Sequence, residues 1–183
     1  MRFLAQGVEE TSAEQIAADA GVSLRTFYRH FASKQELLFG DYDASLDWFR
    51  SALEMRPRGE SMTQAVLGAI YSFPFDHRSM YEIASLRDHA LDRQRIERHV
   101  NQVQAEFAVE LERHLMCQGE PLEGDARFLS TVTAQCVAAA TFAAVNAWMS
   151  GEHSDLDELS RLTALALSVV ERGLATFTPA VEI

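Results

Sequence analysis

The 183 residues carry 16 Lys and Arg against 27 Asp and Glu, a formal net charge of −11, with 48% hydrophobic side chains. This composition gives an ordinary globular core and excludes a disordered tail. It also argues against nucleic acid over most of the surface, because residues 1–40 hold four basic and five acidic side chains and leave a net −10 to the rest.

Taken in order, the segments read as helices. Ser12-x-x-Gln15 is a capping box that opens a short helix to about Ala20, where Gly21 stops it, and Ser23 caps a second through Phe31. Ser33-x-x-Glu36 predicts a third cap of the same kind, with one helix running to about Met55 before Pro57. Ser61 predicts a helix to about Phe73, ended by Pro74, and another stretch begins near Arg78. From Asp92 to Cys117, Ile96, Val100, Val103, Phe107, Leu111 and Leu115 recur at threes and fours on one face. An Ala-rich helix over Asp125–Ser150 and a last one from Asp155 to about Phe177 complete an all-α reading, with no convincing strand.

The uncharged run from Phe128 to Gly151 is long enough to span a bilayer. Its Ser130, Thr131, Thr133, Gln135, Thr141 and Asn146, set on Ala instead of Leu and Ile, predict a helix packed in a soluble core, with no membrane partner. Cys117 and Cys136 lack C-x-x-C spacing and no charged-then-apolar leader precedes them, so a reducing cytoplasm without a structural disulfide is expected.

Chemistry concentrates in "GVSLRTFYRHFASKQEL", Gly21 to Leu37, where Arg25, Arg29, His30 and Lys34 occur with no acid between Ser23 and Gln35. Two short helices joined by "DAGVS" have the layout of a helix-turn-helix, whose second helix enters the DNA major groove. Ile16, Ala17, Ala20, Val22, Phe27 and Phe31 are the expected small core. Leu24, Arg25, Tyr28 and Arg29 are the expected exposed face, with His30 and Lys34 at its far end. An acidic protein keeps this segment free of carboxylates because it must approach a polyanion.

"GVEETSAEQIAADAGVSLRTFYRHFASKQELL" resembles the tetracycline-repressor (TetR) family of one-component regulators, with five separated sub-patterns agreeing in spacing over residues 7–38. The resemblance implies a DNA-binding head over 1–40 and a helical ligand-binding and dimerisation domain over 41–183. It implies that Thr26, Tyr28, His30 and Lys34 contact phosphates and that Leu24 and Arg25, following Ser23, face base edges of a double-stranded operator. Arg25 has the geometry for a guanine and Leu24 for a thymine methyl. Family members carry a longer first helix than Met1–Gln6 provides. The truncated helix predicts that Phe3 and Leu4 must cover Ile16 and Phe27 unaided, and hence a loosened head.

For the acidic remainder the resemblance implies a homodimer through residues 125–177. Ala134, Ala138, Ala139, Ala143 and Ala147 make a smooth face, and Leu162, Leu165, Val169 and Leu174 make an apolar stripe that suits such a bundle. Trp148 is read as an interface anchor or as core. The expected effector pocket lies among the aromatics, with Tyr71, Phe75, Tyr81, Phe107, Phe142 and Asn146 as candidate ligand-binding residues. The layout from Glu97 to Gly151 is also similar to the subgroup that binds acyl-CoA-like ligands.

No G-x-S-x-G, H-E-x-x-H, G-x-G-x-x-G or P-loop occurs, so no catalytic residue and no cofactor is expected. Glu106, Glu110 and His114 share a helix face but lack the Glu-x-x-His spacing of a di-metal bundle, and no metal site is expected. Two readings stand at this point. One is a dimeric, ligand-responsive transcriptional repressor released from a palindromic operator by a small apolar or acyl-type effector. The other is a helical carrier for an apolar metabolite with a vestigial DNA head.

Overall fold

A computed structural model describes residues 2–74, 77–117, 123–151 and 155–173, with the side chains of 41 and 77–81 excepted. In chain order these form α1 (Arg2–Gln6), α2 (Ala13–Asp19), α3 (Leu24–His30), a 3-10 turn (Lys34–Phe39), α4 (Gly40–Glu54), α5 (Met62–Tyr71), α6 (His77–Ala90), α7 (Arg93–Met116), α8 (Gly124–Met149) and α9 (Leu156–Arg172). The fold is all-α, with no strand among the described residues. The chain divides into two compact units, Met1–Ser45 with Phe75–Asn101, and Leu46–Pro74 with Gln102–Ile183.

In the first unit, the Ser12 hydroxyl accepts from the Gln15 N–H at 3.2 Å while the Gln15 side chain accepts from the Ser12 N–H at 2.9 Å. Two of the orphan donors at the start of α2 are thereby satisfied. Gly21, at φ +65°, turns the chain out of α2 through a conformation that costs a larger residue strain. Ser33 departs from its expected role and makes no side-chain cap. The Glu36 carboxylate instead accepts from the Ala32 N–H at 2.7 Å, one residue earlier than a capping box requires. The chain then tightens into the 3-10 turn, and α4 begins only at Gly40.

Two apolar clusters hold this unit. Ala13, Ala17 and Phe27 form one, flanked by Ile16, Leu24, Phe31 and Leu37. Phe3, Val8 and Leu38 form the other, flanked by Ile16, Leu37, Leu86, Ala90 and Leu91. Phe27 is only 4% exposed. Its cover comes from α2, α3 and the 3-10 turn, which overturns the expectation that Phe3 and Leu4 must supply it. Phe3 is buried in its own right, by Leu86, Ala90 and Leu91 from α6 and the residue that follows it. Val22 and Ala20, expected in the core, are exposed, and Ala13 stands in their place.

Further fastening is polar. Arg2 pairs with Asp19, one guanidinium nitrogen donating at 2.8 Å, and ties α1 to α2. The buried Arg87 of α6 donates to the Leu38 carbonyl at 2.8 Å and lies over the Tyr42 ring, 4.5 Å from its centroid. This caps a carbonyl at the end of the 3-10 turn with a cation, a bond of the stronger, charge-assisted kind.

The second unit is built around α8, which packs on α9 and buries Ala134, Val137, Ala138, Phe142, Ala144 and Trp148. Phe107 stacks on Phe49 at 4.4 Å between centroids and meets Phe142 edge-on at 5.1 Å, which locks α4, α7 and α8 together. Glu110, nearly buried, accepts from Arg50 at 2.8 Å and from Arg113 at 2.8 Å, and Arg113 also donates to Glu54 at 3.0 Å. Glu110 of α7 is thus engaged by two arginines. The described residues hold no cluster of three or more metal-ligating groups.

Trp148 is core: 3% exposed, its indole N–H donates to the Asp155 carbonyl at 3.0 Å and joins the end of α8 to the start of α9. Asp155 also accepts from the Glu158 N–H at 2.8 Å as the cap of α9. The helix ends at Arg172, short of Phe177; Leu174 and Phe177 lie outside the described residues. By length and composition α8 is apolar enough to cross a membrane. Its Ala134–Trp148 face is instead buried within the second unit.

Candidate nucleic-acid interface

The helix that carries the basic segment starts where Ser23 stops being helical. Its hydroxyl accepts from the Thr26 N–H at 3.1 Å and lies 2.9 Å from the Thr26 hydroxyl, so the two oxygens form a polar pair at the entrance of α3. No acid occupies the first turn, and Arg29 and His30 occupy the last. Phe27 anchors the helix to the first unit. At about 100° per residue, Arg25 and Arg29 fall about 160° away from Phe27 on either side.

Both arginines are exposed, and neither meets a carboxylate among the described residues. Tyr28, 52% exposed, stands beside them with its ring edge-on to Phe27 at 5.3 Å. An Arg29 guanidinium nitrogen lies 3.3 Å from His30 Nε2. Arg25, Tyr28, Arg29 and His30 thus form one continuous exposed surface of donors and a stacking ring. Arg29 belongs to that surface as fully as Arg25 and completes it one helical turn later.

Three residues named from the sequence sit differently. Leu24 is half-buried and packs on the Ala13, Ala17 and Phe27 cluster, because it lies on the same side of the helix as Phe27. Thr26 is half-buried under its bond to Ser23. The Lys34 ammonium, expected on a phosphate, donates to the Val8 carbonyl at 2.7 Å and to the Glu9 carbonyl at 3.2 Å. Those two bonds brace the turn between α1 and α2 from the far end of the helix-turn-helix.

Of the candidate effector residues described in the second unit, two are buried and two are exposed. Phe107 and Phe142 are buried in the aromatic stack of the second unit. Tyr71 is 60% exposed and Asn146 is exposed. Phe75 and the side chain of Tyr81 lie outside the described residues. On α8, Ala134 and Ala138 face their own core, whereas Ala139, Ala143 and Ala147 are exposed together with Phe128, Leu129 and Val132. Leu165 of α9 is likewise exposed. Cys117 and Cys136 are free thiols.

Comparison with known proteins places the match on the same segment. The sequence model of the bacterial regulatory proteins of the tetR family matches residues 2–40. The HTH-type transcriptional regulator TcmR of Streptomyces glaucescens is 52% identical over 67 residues, 37% of this chain and 30% of that protein. The HTH-type transcriptional regulator SAR2658 of Staphylococcus aureus (strain MRSA252) is 27% identical over 84 residues, 44% of this chain and 45% of that protein. The chain therefore spans under half the length of these curated relatives, and the family match ends at Gly40, the first residue of α4.

Proposed function

We propose that this chain, whose residues 2–40 match the sequence model of the tetR family, is a ligand-responsive transcriptional regulator with its DNA-binding head in that segment, and not an enzyme. It acts in the cytoplasm as a homodimer on a double-stranded operator. The observation that carries this reading is the exposed face of α3: Arg25 and Arg29 opposite the Phe27 anchor, free of carboxylates in a protein of net charge −11.

Arg25, at the start of α3, reads a base edge, with Arg29 one turn behind it; Tyr28, His30 and the Ser23–Thr26 hydroxyls line the phosphate path. Two copies joined through α8 and α9 present two such helices to successive major grooves, which asks for a near-palindromic site. The exposed apolar residues of α8 and Leu165 of α9 support that pairing, since a second copy would remove them from water.

The effector reading is repression relieved by a small apolar or acyl-type molecule held in the second unit. It would act by favouring a state in which the two heads no longer match the operator spacing.

The test is fluorescence anisotropy of the intact protein on duplexes from the DNA flanking its own gene, with mixed-sequence duplex as competitor. Sequence-selective, salt-sensitive binding is expected. Equal affinity for every duplex would overturn the operator reading. Thermal shift with acyl-CoAs, fatty acids and aromatic compounds then tests the effector, because a ligand of the folded state raises the melting temperature.

A further inference from the structure

Lys34 is turned inward, so the corner between α3 and the 3-10 turn lacks the cation that the sequence places there. Another one arrives from α7, sixty-two residues later in the chain. Within the first unit, the Arg95 guanidinium reaches the Ser33 hydroxyl at 3.4 Å. Arg93 and Arg98 lie in the same first turns of α7.

This placement runs against local preference. The start of a helix carries partial positive charge and favours carboxylates, and a cation there is opposed. Here the first turn of α7 contains no acid, and its amides are served by Asp92, which accepts from the Arg95 N–H at 2.8 Å. Arg93 is neutralised by Glu97 at 2.7 Å. Among the described residues Arg95 and Arg98 meet no carboxylate: Arg98 bonds the Gln94 carbonyl, at 3.4 Å, and the Arg95 guanidinium bonds Ser33. Glu36, the acid of the adjoining 3-10 turn, has its carboxylate held on the Ala32 N–H. Arg95 thus stands without a carboxylate partner among the described residues, against local propensity and in an acidic protein, beside Ser33 just beyond the recognition helix, and Arg98 follows three residues later on the same helix. Conflicts of this kind with local preference mark functional positions.

We propose that Arg95, supported by Arg98, is a second phosphate-binding site of the DNA head, contacting the operator backbone beyond the end of α3. The inference rests on the DNA-binding reading of α3 and extends the interface to a helix outside residues 2–40. Guanidinium is suited to the task, since its fork donates two parallel bonds to a phosphate. Ser33 aims that fork in the free protein and yields it when a phosphate arrives.

The experiment is a salt titration of affinity for a mixed-sequence duplex, using the full chain, because a phosphate contact is independent of sequence. For Arg95→Gln the slope of log affinity against log salt is expected to fall by about one counterion per copy. The melting temperature should not move. Arg95→Lys should keep the slope, and Ser33→Ala should leave it unchanged.

A wild-type slope in Arg95→Gln would overturn the proposal. So would a Ser33→Ala variant that reproduces its loss together with a lower melting temperature, which would make Arg95 a structural brace only. The DNA reading itself is judged by a separate arm. If the Arg25→Ala, Arg29→Ala double variant binds as the wild type does, the face of α3 is not the interface. If that double variant loses binding while Arg95→Gln does not, only the Arg95 site fails.

Discussion

The Lys34 ammonium donates to the Val8 carbonyl, 26 residues earlier in the chain, at 2.7 Å. A cation at the end of the helix-turn-helix therefore holds the turn that begins it. Lys34→Met removes two charge-assisted bonds, one to the part-buried Val8 carbonyl and one to the exposed Glu9 carbonyl, and a loss of about 1–2 kcal/mol from the head is expected. Amide exchange at Gly7–Thr11 should accelerate, and affinity should fall alike on every DNA sequence. Unchanged exchange there would mean that the bonds contribute nothing in solution.

Arg25→Ala is expected to cost about 1–3 kcal/mol on the preferred operator and to relax base preference at one position of each half-site. Selection from a randomised duplex pool, run beside the wild type, reads this directly. An unchanged logo with uniformly weaker binding would reassign Arg25 to the backbone.

Leu86→Ala should disable DNA binding from a residue far outside the helix-turn-helix. Leu86 packs on Phe3, Val8 and Leu38, and truncating a partly buried leucine costs about 1–3 kcal/mol. For the same reason a fragment of residues 1–45 alone is expected to be largely unfolded, since the first unit also takes in residues 75–101. A sharp thermal transition in that fragment would contradict it.

Ala139→Glu places a carboxylate on the exposed apolar face of α8, where a partner copy would meet it with its own. Light scattering should report monomer or aggregate in place of dimer. Dimer mass equal to that of the wild type would move the interface off this face.

Features closed within three or four residues were legible from the sequence. The Ser12–Gln15 box and the Ser61 cap each form, because the partners lie in the same helical turn. The face of α3 was legible up to a rotation: Arg25 and Tyr28 are outside and Phe27 inside, but Leu24 turns toward the core while Val22 and Ala20 turn out. Periodicity gives the side of a helix and not the height at which the neighbouring helix crosses it. Ser33 and Glu36 carry the letters of a capping box, yet the glutamate takes the amide of Ala32. Nothing in local spacing distinguishes the two outcomes when the chain can tighten into a 3-10 turn.

Contacts across long sequence intervals were not legible. Arg87 reaches the Leu38 carbonyl and Arg95 reaches Ser33 only because α6 and the start of α7 fold into the first unit. The packing of Phe3 was not legible for the same reason: Leu86, Ala90 and Leu91 pack on its cluster, and no motif announces them. The aromatic candidates for the effector site were chosen by type, which cannot tell a stacked core ring such as Phe107 from an exposed one such as Tyr71.

The division of the first unit into two stretches of chain has a consequence on the ribosome. Its helix-turn-helix leaves the exit tunnel early, but the surfaces that close over Phe3 and Leu38 belong to residues translated after Ser45 and before Asn101. At about 5–20 residues per second, that interval lasts roughly 3–10 s. For those seconds the nascent head exposes apolar side chains and is open to chaperones and proteases. Rare codons placed between α4 and α6 would lengthen that exposure, whereas the same codons after α7 would leave the head untouched.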